Sequence, residues 1–255
     1  MELGLGRKSI IVTGAASGIG AAIARLLAAE GVGGLVLIDR DAAGLDRIAG
    51  ELATVPVETV VADLADPAAP AHIAGAAVAR FGRIDGLVNA AGLTTRGSFL
   101  TGTAEIWDAL FAVNGRAGFL LMQEAIAEMR RHGAGGAIVN ILSMNAHCGI
   151  PELAIYAGSK GAMLTLTKNA AHAHMADAIR VNGINLGWVA TETEDRIQTA
   201  VLGPDWEARV AATQPLGRLV TAEDCARLAV FLLSDASAPM SGAILDLEQK
   251  VAGAI

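Results

Sequence analysis

Thr13-Gly14-Ala15-Ala16-Ser17-Gly18-Ile19-Gly20 follows the apolar run Ser9–Thr13 and leads into a segment with Ile19, Ile23, Leu26 and Leu27 on one helical face. A strand that turns on glycines into a helix is the first half of a βαβ unit. Gly14, Gly18 and Gly20 carry no Cβ, so the backbone can approach a pyrophosphate while the helix amino end presents its N–H groups. The spacing differs from G-x-G-x-x-G, and glycines in an Ala/Gly-rich chain also arise as plain turn residues. Asp39 tips the balance toward a nucleotide site. It ends the next apolar run, nineteen residues after Gly20. A carboxylate there can bond ribose hydroxyls and repel a 2′-phosphate, which favours NAD over NADP. Arg40 next door points to the other side of a strand and reads as a surface residue.

Further apolar runs at 35–39, 57–62, 86–89, 137–142, 180–185 and 243–247 are short and β-rich, with helical patterns between them. They predict a Rossmann-like, doubly wound α/β fold: about seven parallel strands with helices on both faces and right-handed crossovers. Ligands then bind at the carboxyl ends of the strands. Residues 103–131 read as one long helix, and a second carries Tyr156 and Lys160 to about His174. Thr221-Ala222-Glu223-Asp224 reads as a capping box. The 1–255 span reads as a single dinucleotide-binding and catalytic domain. Residues 190–212 lack a clean period and are expected to be a substrate lid, a loop with a helical turn or two.

Composition narrows the function classes. A 53% hydrophobic, 4% aromatic chain suits a buried parallel sheet under Ala-rich helices. A net charge of -7 argues against nucleic acid as a partner. No signal-peptide run is found at 1–8 and no membrane span is expected. Cys148 and Cys225 have no paired spacing, which implies a reducing, cytoplasmic setting. His172 and His174 lie two apart on a helix and face different ways, and no metal is expected.

Tyr156 and Lys160 are four apart on one helical face, and Ser143 lies thirteen residues before the tyrosine. Free tyrosine has a pKa of about 10, and making its phenol ten times more acidic takes about 1.4 kcal/mol. A unit charge about 4 Å away in an effective dielectric near 20 supplies roughly 4 kcal/mol. Lys160 is therefore expected to favour the Tyr156 phenolate.

These motifs together resemble the short-chain dehydrogenase/reductase family, in its compact single-domain branch, over nearly the whole chain. The carriers are the Thr13–Gly20 turn, Asp63-Leu64, Asn89-Ala90-Ala91-Gly92, Asn114 in Phe-Ala-Val-Asn, and Ser143, Tyr156 and Lys160. The resemblance implies a nicotinamide cofactor, hydride transfer at an alcohol or ketone carbon, and a homotetramer or homodimer. It implies Tyr156 as general base or acid. Lys160 would lower its pKa and hold the nicotinamide ribose. Ser143 would bond the substrate oxygen, and Asn114 would anchor a water next to Lys160. Cofactor contacts are implied for Gly14, Ser17, Gly18, Ile19, Gly20, Asp39, Asp63, Leu64, Asn89, Ala90, Gly92, Tyr156, Lys160, Val189 and Thr191. Two departures stand out. Leu186 replaces the usual proline before Gly187, which is expected to free that turn. Glu248-Gln249-Lys250 replaces Asp-Gly-Gly, which makes the family's tetramer geometry less safe.

Beside the reacting carbon the sequence offers a polar set. Ser143, Asn145, His147, Glu152 and Trp188 are the candidate substrate residues, with Glu192 and Glu194 nearby on the lid. The set suits a sugar, polyol or other secondary alcohol. A ketone reductase of the 3-oxoacyl or diketone type is the enzymatic alternative. A non-catalytic nucleotide sensor is the alternative of another class; such proteins usually lose the tyrosine or lysine, and both are present.

Overall fold

A computed structural model describes residues 2–250. Its elements, in chain order, are β1 (Ser9–Thr13), α1 (Gly18–Ala29), β2 (Gly34–Asp39), α2 (Ala42–Glu51), β3 (Val57–Val61), α3 (Ala69–Phe81) and β4 (Gly86–Asn89). Next come α4 (Ala104–Phe111), a π-helical segment (Ala112–Ala117), α5 (Gly118–His132), β5 (Gly136–Ile141), α6 (Ala154–His174) and β6 (Ile179–Leu186). The chain continues through β7 (Val189–Ala190), α7 (Glu192–Leu202), α8 (Trp206–Ala211), β8 (Val220–Thr221), α9 (Ala222–Leu233) and β9 (Ile244–Leu247). Seven strands form one parallel sheet in the order β3-β2-β1-β4-β5-β6-β9, and β7 pairs with β8. Every predicted strand is present, with ends within a residue or two of the sequence reading.

The pleat sorts the core into two layers. Ile10 and Val12 of β1 and Leu35 and Leu37 of β2 face α1, α2 and α9. Ile11, Val36 and Ile38 face α3, α5 and α6. Strand residues alternate sides, so fully apolar strands are what a sheet covered on both faces requires. Among the described residues, no helix is long and apolar enough to cross a membrane.

The order reverses at β1, which has β2 on one side and β4 on the other. A crevice opens there at the carboxyl ends of the strands. The predicted helix at 103–131 is interrupted. Thr103 caps α4 through its hydroxyl, which accepts from the Ile106 amide at 3.3 Å, and the π-helical segment carries Asn114. The capping box at Thr221 is present: Asp224 accepts from the Thr221 amide at 3.0 Å, and Thr221 accepts from the Asp224 amide at 3.1 Å.

Two expectations are corrected. The 190–212 segment is mainly two helices, α7 and α8, rather than a loop with a turn or two. Thr191 caps α7, and Glu192, Glu194 and Asp195 occupy its first turn, where the helix dipole favours anions. Leu186 does not free the turn after β6. It is the last residue of the strand, paired with Leu247, and the Gly187 amide continues the pairing by donating to the Leu247 carbonyl at 3.1 Å.

Candidate active site

The carboxyl ends of β1 and β4 meet around one hydroxyl. Thr13 Oγ1 accepts from the Ala90 and Ala91 amides at 3.0 and 3.1 Å and reaches the Val88 carbonyl at 3.3 Å. Gly14, at φ 68°, lets the turn lie against this bend; a Cβ there would sit 3.0 Å from the Ala91 backbone. A Cβ on Gly20 would collide with the Gly14 carbonyl. Gly20 therefore sets how closely α1 meets its own turn. Gly18 faces Thr191, whose methyl would lie 3.6 Å from an added Cβ, so the lid is rooted over the glycine turn.

Ser17 is the N-cap of α1, but its hydroxyl makes no cap hydrogen bond. The amides that open a helix have no partner inside it. Gly18, Ile19 and Gly20 thus present donors with a positive helix end behind them. Asp39 stands beside this turn: Oδ2 accepts from the Ala16 amide and Oδ1 from the Asp41 amide, both at 3.1 Å. Asp63 is exposed and bonds its own turn at Ala65, 2.8 Å away, and Leu64 is half-buried. Val189 is buried in the short β7–β8 pair.

Asn89 turns its side chain into the interior. Its amide donates to Asn140 Oδ1 at 2.8 Å, and Asn140 donates to Thr167 Oγ1 at 2.8 Å. Asn89 Oδ1 is buried with no protein partner. It lines a small void with Thr13, Asn114 and Lys160, large enough for a single water. The Asn114 carboxamide is already engaged: Oδ1 accepts from the Leu93 amide at 2.8 Å, and Nδ2 donates to the Leu93 carbonyl at 2.9 Å and to Ser159 at 3.0 Å. The free acceptor on that void is thus the side chain of Asn89, not that of Asn114.

Ser143, Tyr156 and Lys160 are all buried, at 5%, 7% and 6% exposure. Ser143 follows β5, while Tyr156 and Lys160 share a face of α6. Ser143 Oγ accepts from the Asn145 amide at 3.2 Å and faces Asn145 Nδ2 at 3.3 Å. Lys160 Nζ donates to the Ile141 carbonyl at 2.8 Å and lies 5.9 Å from the centre of the Tyr156 ring. Burial lowers the Lys160 pKa to about 8. Burial also raises the Tyr156 phenol above its ordinary value; the neighbouring Ser143 hydroxyl opposes this and the Glu194 charge adds to it. Lys160 is not among the groups that shift the phenol here; its ammonium donates to the Ile141 carbonyl.

Around this core lies a polar wall. Asn145 Oδ1 accepts from the Ile150 amide at 3.2 Å and shapes the loop. His147 Nε2 faces Asp246 of β9 at 3.1 Å, and Asn185 Nδ2 donates to the same carboxylate at 2.8 Å. Burial works to raise the Asp246 carboxyl, but Asn185 and His147 outweigh it and hold it below its ordinary value. Trp188 donates from Nε1 to Glu194 at 2.7 Å and stacks on Trp206, centroids 5.7 Å apart. Glu152 is not drawn into these bonds. It sits in a separate turn before α6 with its side chain exposed, and its carbonyl accepts from Gly97 at 2.8 Å.

The sequence assigns Thr13 and Asp246 no role of their own, and Glu194 appears in it only as one of the lid acids. Thr13 was legible as the hydroxyl that ends β1. Asp246 was not, because it meets His147 across 99 residues. Glu194 and Gln198 are spaced i, i+4, which is the signal that could have raised Glu194 above Glu192.

The chain matches, over residues 14–249, a protein family described as "Enoyl-(Acyl carrier protein) reductase". It is 36% identical over 238 residues to 2-(S)-hydroxypropyl-CoM dehydrogenase 3 of Xanthobacter autotrophicus, covering 92% of each chain. It is 35% identical to D-threitol dehydrogenase of Mycolicibacterium smegmatis, covering 94% of this chain and 91% of that one. Among solved structures it resembles L-sorbose reductase from Gluconobacter frateurii, described in complex with NADPH and L-sorbose, at a TM-score of 0.93 and 29% identity over 100% of both chains.

Proposed function

The chain belongs to the short-chain dehydrogenase/reductase family, and on that premise we propose that it is an NAD-dependent dehydrogenase of a secondary alcohol carried on a sugar or polyol. It is an oxidoreductase of the nicotinamide-binding fold. The observation that carries the cofactor choice is the Asp39 carboxylate, fixed beside the glycine turn by the Ala16 and Asp41 amides. A negative charge there accepts ribose hydroxyls and opposes a 2′-phosphate. The substrate class is supported by relatives named for threitol and sorbose and by the polar wall of Asn145, His147 and Trp188.

The donor set suits a dinucleotide. The uncapped amides of Gly18, Ile19 and Gly20 would meet the pyrophosphate, Asp39 the adenosine ribose, and Lys160 and Thr191 the nicotinamide end. A bound nicotinamide supplies the hydride acceptor for the carbinol carbon, or the donor in the reverse direction. Tyr156 Oη takes the hydroxyl proton in oxidation and returns it in reduction. Ser143 Oγ bonds the substrate oxygen and keeps it on the phenol. Lys160 holds a positive charge under both.

The test is a panel of sugars, polyols and simple alcohols with NAD and with NADP, followed by the absorbance of the reduced nucleotide. Polyol oxidation with NAD well above NADP is expected. Equal use of the two nucleotides would remove the role given to Asp39.

A further inference from the structure

Ser143 Oγ meets two donors from a single residue, the Asn145 amide at 3.2 Å and Asn145 Nδ2 at 3.3 Å. Which end of the Asn145 carboxamide faces the serine is settled by its other neighbour. The Ile150 amide, 3.2 Å away, has only a proton to offer, so the atom it meets is Oδ1. The atom turned to Ser143 is therefore the NH2 group. A serine hydroxyl has one proton and two lone pairs. With both lone pairs facing Asn145, the proton must point elsewhere. The neighbour that remains for it is the buried Tyr156 phenol, whose acidity the Ser143 hydroxyl increases. The turn that carries Asn145 is held on both sides. His147 Nε2 reaches Asp246 of β9 at 3.1 Å, and Gly149 closes on α6, where an added Cβ would lie 2.7 Å from the Ala157 Cβ.

We propose that Asn145 is the positioning residue that makes Ser143 a donor only. Its two N–H groups fill the serine lone pairs, so the serine proton faces the substrate oxygen and the substrate's own proton has only Tyr156 to go to. The proposal rests on the dehydrogenase reading above and adds the residue that sets the direction of the proton. A donor aimed at an oxygen that gains charge bonds it more strongly in the transition state than in the bound alcohol. A serine free to turn can instead accept the alcohol proton, which binds the substrate in an arrangement that holds the proton away from the phenol.

The test is a double-mutant cycle, read as kcat/KM for the alcohol oxidised best with NAD. Asn145→Asp keeps the shape of the side chain and an acceptor for the Ile150 amide, but it presents an oxygen to Ser143 and turns the serine proton away. It should lower kcat/KM about tenfold in the wild-type background and change it less than about twofold in the Ser143→Ala background. Asn145→Ala, which removes the donor and puts nothing in its place, should cost about threefold with Ser143 present and nothing more without it. Nucleotide affinity should hold within about twofold throughout. A loss from Asn145→Asp that persists in full when Ser143 is alanine would overturn the proposal, because a stray charge or a direct substrate bond would then be acting. So would Asn145→Ala costing more than Asn145→Asp, the order expected if the side chain only braces the loop. That ranking decides the matter if Ser143→Ala is too slow to assay, and the cycle with Asn145→Ala decides it if Asn145→Asp does not fold. No oxidation of any alcohol by wild type with either nucleotide would remove the dehydrogenase reading itself, and this proposal with it.

Discussion

The Lys160 ammonium is bonded to the Ile141 carbonyl at 2.8 Å, inside the protein at the end of β5. This pairing ties the cation to the sheet, and burial brings its pKa down from 10.5 to about 8. Between those two values the unfolded chain holds a proton that the folded chain has released. Raising the pH through that window therefore favours the folded state. Below pH 8 both states are protonated and the residue contributes no slope. Lys160→Met should lose turnover and also lose this slope. The gap in unfolding free energy between wild type and variant should shift in favour of wild type by about 1.4 kcal/mol per pH unit inside the window. Denaturant unfolding of both proteins from pH 7 to 10 measures it, and parallel curves would show that Lys160 is not held at a lowered pKa.

Tyr156→Phe keeps the ring that fills the wall of the cleft and removes the group that carries the proton. Turnover should fall by about 10²–10⁴, with nucleotide affinity within about twofold. Stopped-flow turnover alongside nucleotide titration separates the two effects. Near-normal turnover would take Tyr156 out of the mechanism.

Asp39→Ala should lower kcat/KM with NAD by about tenfold and leave NADP use equal or better, so the preference narrows. The Ala16 amide loses its acceptor in this variant, so thermal unfolding should be read as well. A preference that survives unchanged would assign nucleotide choice to another residue.

Gly20→Ala puts a Cβ into the Gly14 carbonyl. Overpacking of this kind costs about 1–3 kcal/mol, and here it also moves the turn that meets the pyrophosphate. Both the unfolding temperature and nucleotide affinity should fall. Gly50→Ala, on α2, meets nothing within 4 Å. It should be neutral or stabilise by up to about 1 kcal/mol. Equal behaviour of the two variants would contradict the close packing assigned to Gly20.

The sheet was legible because each of its central strands is buried on both faces, so runs such as Ile10-Ile11-Val12 and Leu35-Val36-Leu37-Ile38 carry no polar residue to confuse the period. The lid was not. α7 buries only Gln198, so no apolar stripe marks it as a helix, and the cap and the acidic first turn were its only local signs. Within the site, Ser143, Tyr156 and Lys160 were found because their spacing is local or motif-bound. The partners of His147 and Lys160 were hidden for two reasons. Asp246 is distant in sequence, and the bond to Ile141 depends on how deeply the ammonium is buried. Desolvation is a property of the packed core, and no residue spacing reports it.

The π-helical segment at Ala112–Ala117 makes the helix around Asn114 one residue longer than plain α geometry would need. The wide turn absorbs that residue, so the helix on either side keeps its phase: Leu121, Met122 and Ala125 face the core they share with α3 and α6, and Asn114, on the widened turn, reaches Leu93 and Ser159. Deleting one residue there should close the turn to plain α geometry and withdraw the Asn114 carboxamide from those partners. Chain length in this stretch is thus as constrained as residue identity: a change of one in the count is a lesion, even where every substitution is mild.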